Sequence, residues 1–141
     1  MRSLLVMMLA SVVVISCGET QRENDEQNKL RQYIVQGEKL YLQHCANCHQ
    51  KDGSGLAALF PPLNQSDFLD KNKMNVPCII RNGLDGEIVV NGKIFNQPMK
   101  AIPLLTDLEV AEITTYILNN WGRNDGIIDV KATARMLQRC K

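Results

Sequence analysis

Residues 37–49 read GEKLYLQHCANCH, and the last five, Cys45-Ala46-Asn47-Cys48-His49, place two thiols two residues apart with an imidazole directly after them. The C-x-x-C-H spacing is a signature for covalent haem attachment. Two thiols so spaced reach the two vinyl groups along one side of a porphyrin, and the imidazole of the next residue then meets the iron from the same face. Two other chemistries also use a C-x-x-C pair, a redox dithiol and a zinc site. Zinc in a structural site takes about four protein ligands, whereas His44 and His49 are the only histidines and no second C-x-x-C lies nearby. A redox dithiol of the thioredoxin kind needs a βαβ frame, which the helical patterning around the motif does not offer. Haem is the reading adopted, with a haem-free thiol or metal module as its rival.

Upstream of the motif, Leu30, Ile34, Gly37, Tyr41 and Cys45 recur three or four residues apart, which predicts a helix over 28–46. Downstream, Gln50 to Gln65 holds Gly53, Gly55, Pro61 and Pro62 and reads as loop, with Ser66 placed to cap a short helix. Another short helix is expected over Pro77–Arg81, closed by Gly83. Glu87 to Phe95 forms two β-rich runs around Asn91-Gly92, the pair that supplies the positive φ angles of a tight hairpin turn. Thr106-Asp107-Leu108-Glu109 is a capping box opening a helix at 107–120, with Val110, Ile113, Ile117 and Trp121 on one face until Gly122. The class is mainly α. Residues 123–141 form a C-terminal extension in which Ala132–Arg139 has helical character.

The chain is 141 residues long, 45% hydrophobic and 22% charged, which suits one domain with a modest core. A net charge of +1 with scattered basic residues gives no footprint for nucleic acid. At the N-terminus, Arg2 precedes the apolar runs Leu4–Ala10 and Val12–Ile15, too short for a span of roughly 20 residues and patterned as a secretory signal over 1–16. Val14-Ile15-Ser16-Cys17 resembles a bacterial lipobox, so Cys17 is expected to carry lipid and to become the mature N-terminus. Residues 17–29 are polar, without an apolar period, and read as a flexible tether between that anchor and a domain over 30–122. Five cysteines is an odd number, which assigning Cys17 to lipid resolves. Cys78 and Cys140 then remain, as a disulfide permitted by an oxidising compartment or as two buried free thiols.

Between Leu30 and Gly122 the sequence resembles a small class I cytochrome c. In that family a glycine and an aromatic precede the first haem cysteine at four-residue intervals, as Gly37, Tyr41 and Cys45 do here. An aromatic on the last helix packs over the glycine, and Tyr116 stands in its place. The resemblance implies a class I fold: N- and C-terminal helices crossing around one covalent haem c, with a small hairpin before the methionine loop. It implies that a proline carbonyl accepts the hydrogen bond of His49; Pro61 in Phe60-Pro61-Pro62-Leu63 is the match, with Pro62 the alternative. It also implies a methionine as second axial ligand. Met99 stands shortly before Leu105-Thr106-Asp107, where the family has that residue, although Pro98 precedes it where the family more often has a proline after it. Arg81 and Asn91 are weighed as propionate contacts against a default of solvated surface.

The function so implied is single-electron transfer, with His49 and Met99 staying bound and no open coordination site, so the chain is not read as an enzyme. Its partners would be redox proteins (a reductase, dehydrogenase or oxidase) and, through the lipid, a membrane. Its place would be the periplasmic side of the bacterial envelope. Two rival readings are a haem-bearing subunit of a periplasmic oxidoreductase and a haem sensor whose Met99 dissociates.

Overall fold

The computed structural model describes the backbone of residues 2–140 and the side chains of 21–140. The expected signal at 1–16 and the lipid on Cys17 fall outside the described side chains. The helix predicted at 28–46 forms the C-terminal part of α1, Arg2–His44, which divides between two units: residues up to Gln32 make one, and Tyr33 onward belongs to the folded domain. The segment expected as a flexible tether is therefore helical in this structure. Its side chains from Gln21 to Lys29 are exposed, as their polarity demands, but Glu, Gln, Arg and Lys are also good helix formers and no proline interrupts them. Among the described residues no helix is long and apolar enough to cross a membrane.

In the folded domain, α1 breaks at Cys45 and the chain makes one further turn, α2 (Ala46–His49). A loop follows, and α3 (Asp67–Lys71) opens where Ser66 Oγ accepts from the Leu69 amide at 3.2 Å. A 3-10 turn at Lys73–Asn75 leads into α4 (Val76–Asn82), which carries Pro77 in its first turn and ends at Gly83. Strands β1 (Ile88–Val90) and β2 (Lys93–Phe95) pair antiparallel with Val90 opposite Lys93, across Asn91 and Gly92 at φ 51° and 76°. The hairpin is tied to α3 by Asp67 and Asn91, each accepting the other's backbone amide through its side chain, at 2.7 and 3.0 Å.

The capping box forms in full on α5 (Asp107–Leu118), with Glu109 accepting from the Thr106 amide at 2.7 Å. The helix stops two residues short of the expected 120. Asn119 turns the chain by giving its amide group to Thr115 and Gly126 carbonyls at 2.8 and 2.7 Å and accepting from Gly126 N–H at 2.9 Å. The extension then folds back as α6 (Val130–Leu137), which packs on α4 and α5 and ends in a Cys78–Cys140 disulfide. Of the two states open to these cysteines in the sequence, the structure has the disulfide.

The core lies where α1 crosses α5. A Cβ on Gly37 would sit inside the carbonyl of Glu112 and 2.7 Å from the Tyr116 Cβ, so the two backbones approach closely only because that atom is missing. Tyr41, fully buried, stacks at 5.2 Å from Tyr116 and 5.6 Å from Trp121, and its hydroxyl donates to Gln50 O at 2.7 Å. Val110, Ile113, Ile117 and Leu118 complete the face of α5 turned to this cluster.

Candidate functional site

α2 is a single turn, and it brings Cys45, Cys48 and His49 to the wall of one apolar cavity of about 470 Å³, within the range of ligand sites. Cys45 is buried and Cys48 half-buried, and the two thiols are not joined to each other. His49 is only 8% exposed. Its Nδ1 lies 3.0 Å from the Pro61 carbonyl, and since a carbonyl can only accept, Nδ1 carries the proton. Nε2 is then an unprotonated lone pair on a ring that lines the cavity. Burial lowers the His49 pKa, opposed by the Pro61 hydrogen bond, and so favours the neutral ring, the form able to ligate a metal.

The contact with Pro61 depends on Gly55. At φ +72°, with its amide donating to His49 O at 3.0 Å, this residue lies where any Cβ would come within 2.8 Å of the Pro61 oxygen. Sequence reading placed Gly55 in the loop without a role; its closeness in chain to the histidine and to Pro61 was the available signal.

Met99 is on the cavity wall as well. Its loop is fixed by backbone exchange with Leu84, Met99 N–H to Leu84 O at 2.8 Å and the reverse at 3.0 Å. Gly83, at φ +78°, allows this: a Cβ there would strike the Met99 carbonyl and lie 2.8 Å from Ala101 N. By contrast, Met74 is 66% exposed in the 3-10 turn, and neither it nor Met136 lines the cavity. Phe60, Phe68 and Phe95 do line it, together with Ile79, Ile80 and Ile102 from α4 and the methionine loop. His44 is exposed at its margin.

Arg81 and Asn91, weighed as propionate contacts, are otherwise engaged, and so is Trp121. Arg81 pairs with Asp107 at 2.8 Å, because the last turn of α4 faces the first of α5. Asn91 is used by the hairpin staple, with its side-chain amide on Gln65 O at 3.0 Å. Trp121 packs on Tyr41 and Tyr116.

The rival chemistries fit poorly. Burial first, then the neighbouring Cys48, pushes the Cys45 thiol up to about 12, the reverse of the depressed pKa an attacking dithiol uses. The two strands pair antiparallel and make no βαβ unit among the described residues. No group of three or more His, Cys, Asp or Glu side chains gathers there into a zinc-type cluster. An apolar slot with two thiols, an imidazole nitrogen and a thioether suits a flat apolar ring bearing two vinyl groups and an iron atom. What this cavity is built to take is a covalently attached haem c, and the fold around it is that of a class I c-type cytochrome.

The chain belongs to the cytochrome c family, whose family model, Cytochrome c, matches residues 34–121. Cytochrome c-552 of Thermus thermophilus is 36% identical over 90 residues, covering 61% of this chain and 68% of that protein. The cytochrome c subunit of the quinone alcohol dehydrogenase of Gluconobacter oxydans (strain 621H) is 29% identical over 97 residues, 62% of this chain but 19% of the subunit. The cbb3-type cytochrome c oxidase subunit CcoP of Rubrivivax gelatinosus is 29% identical over 96 residues, 64% of this chain and 27% of the subunit. In those two larger proteins the likeness is thus confined to a domain-sized portion.

Proposed function

We propose that the chain is an exported, monohaem electron carrier, anchored by lipid on Cys17 to the periplasmic face of a bacterial envelope membrane, passing single electrons between redox proteins. The observation that carries this reading is the gathering of Cys45, Cys48, His49 and Met99 on one apolar cavity, with the spare His49 nitrogen bound to Pro61. When bound, the haem supplies an iron that cycles between ferric and ferrous states. Cys45 and Cys48 would hold it covalently through thioether bonds. His49 and Met99 are the residues that would ligate the iron, and with both bound no position would be left for a substrate, which supports carriage of electrons without bond chemistry. The Pro61 carbonyl orients the His49 ring and strengthens it as a donor. A Met99 thioether as the second ligand would favour the ferrous state and raise the potential. The phenylalanine and isoleucine side chains on the cavity wall would give the haem an apolar surround, in which less solvent reorganises as charge changes.

A second reading has support from the names of two relatives: the domain serves as the haem-bearing subunit of a periplasmic oxidoreductase or oxidase. Stable co-purification with a catalytic chain would favour it over a free shuttle.

The test is export in a host with haem-maturation machinery, a haem stain after denaturing electrophoresis, and a reduced visible spectrum. A stained band is expected, and an unstained one overturns the reading. Met99→Ala should abolish the Met–iron charge-transfer absorption; if Met74→Ala does so instead, the ligand assignment is wrong. Cys17→Ser should release the protein from membranes, and unchanged partitioning would refute the anchor.

A further inference from the structure

α4 has seven residues, Val76–Asn82, well under the roughly 12–15 at which an isolated helix begins to hold itself in water. Its place is therefore set by what is fastened to it. On one side Cys78 is bonded to Cys140, just past the end of α6, and α6 packs along α4 and α5. On another, Ile79 and Ile80 form cavity wall. Its last turn and exit carry the methionine loop: Ile102 N–H donates to Ile80 O at 3.2 Å, and Leu84 exchanges two backbone bonds with Met99. Arg81 reaches Asp107, where that loop ends and α5 begins. The loop is thus held to α4 through Ile80 and to the chain leaving α4 through Leu84, α4 is tied to the start of α5 through Arg81, and it is covalently clamped to the segment just past α6.

We propose that the Cys78–Cys140 disulfide is a positioning element of the haem site, holding α4 so that the Met99 loop stays closed on the cavity. The proposal rests on the reading of Met99 as axial ligand. Neither cysteine lines the cavity, so both act through α4. Opening the bridge releases the methionine side before the domain unfolds. It leaves the histidine side in place, because His49 is supported through Gly55 and Pro61 on a different loop. Reductive opening balances by thiol–disulfide exchange: an external dithiol gives two electrons and two protons to Cys78 and Cys140 and is itself oxidised to a disulfide.

The experiment compares the full-length haem-loaded protein with its Cys78→Ser/Cys140→Ser variant. Three readings are taken: the ferric Met–iron charge-transfer band against temperature, helical circular dichroism against temperature, and the rate of carbon monoxide binding to the ferrous form. In the variant the band is expected to vanish at a temperature below the helical transition. Carbon monoxide should bind about tenfold faster, as follows when a local opening equilibrium shifts by that factor. Band and helix melting together at a lowered temperature, with carbon monoxide binding unchanged, would reduce the disulfide to a global staple and overturn the proposal. Should the variant fail to mature, wild-type holoprotein is reduced with a dithiol, capped at its thiols, reoxidised at iron and read in the same way, with the same two outcomes deciding. A wild-type band insensitive to Met99→Ala would instead remove the ligand reading beneath the proposal, an outcome distinct from either.

Discussion

His49 carries two ring nitrogens with different tasks, and the division between them is made by residues that do no chemistry. The Pro61 carbonyl accepts the hydrogen bond of Nδ1–H, and Gly55 makes room for that carbonyl while its amide holds the His49 backbone. Gly55→Ala must place a methyl at φ +72° and within 2.8 Å of the Pro61 oxygen. Strain at such a position costs about 1–3 kcal/mol, and loss of the histidine bond adds to it. The expected outcome is an unfolding free energy from denaturant titration lowered by at least that amount, together with a shifted potential in the haem-loaded protein; an unchanged potential would show that the ring orientation does not depend on Gly55. Asp67 is a second residue whose value lies in what it holds. The Asn91 amide first, then Lys71, keeps its carboxyl below the usual carboxylate range. With the folded pKa below the unfolded one, the stability it contributes is present above the unfolded value near 3.8 and is lost as pH falls through the folded value. Asp67→Asn keeps an oxygen to accept from Asn91 but cannot titrate. Thermal midpoints measured from pH 5 down to about pH 3 should fall less steeply in that variant than in the wild type.

At the level of elements, the helix crossing shows how one missing atom sets an architecture. Alanine is favoured over glycine inside a helix by about 1 kcal/mol, so on propensity alone Gly37→Ala would stabilise α1. The added Cβ would meet the Glu112 carbonyl and the Tyr116 Cβ, and overpacking of this kind typically costs about 1–3 kcal/mol. The crossing therefore decides the sign: net destabilisation, seen as an earlier thermal transition, with an unchanged or raised midpoint counting against close packing as the reason for the glycine. The role of Gly37 was readable in advance through the resemblance, whose pattern Gly37, Tyr41 and Cys45 match over a short stretch of chain. The hairpin at Asn91-Gly92, the capping box at Thr106 and Glu109, and the C-x-x-C-H turn were readable too, each set by chemistry within a few residues. The end of α5 was less readable, since it is fixed by Asn119 reaching Gly126, beyond the helical pattern. Gly83 and Gly55 were seen only as punctuation, because the backbones that crowd them come from elsewhere in the loop structure. Pairing of Cys78 with Cys140, 62 residues apart, has no local signal at all.

For the folded domain as a whole, the family match ends at residue 121 while the packed unit runs on through α6. The segment beyond Gly122 is bound into it at several points. Asp125 pairs with Lys73 at 2.5 Å, and Arg123 pairs with Asp70 and donates to Ser66 O at 3.2 Å. Thr115, fully buried on α5, exchanges hydrogen bonds with the Ile128 backbone at 3.2 and 3.1 Å. Ending the chain after Gly122 would keep every residue that lines the cavity yet remove these partners, the disulfide and the cover on α4. The disulfide is worth about 2–4 kcal/mol, and leaving the buried Thr115 hydroxyl unpaired adds about 1–3 kcal/mol. A loss of that size lowers the melting temperature of a domain near 100 residues by at least about 10 °C. The truncated protein should still take up haem, since Cys45, Cys48 and His49 are supported from the N-terminal side, but melt at least that much earlier by circular dichroism. A midpoint within about 3 °C of the full chain would mean that the extension is an appendage, and that the 34–121 region alone accounts for the stability of the fold.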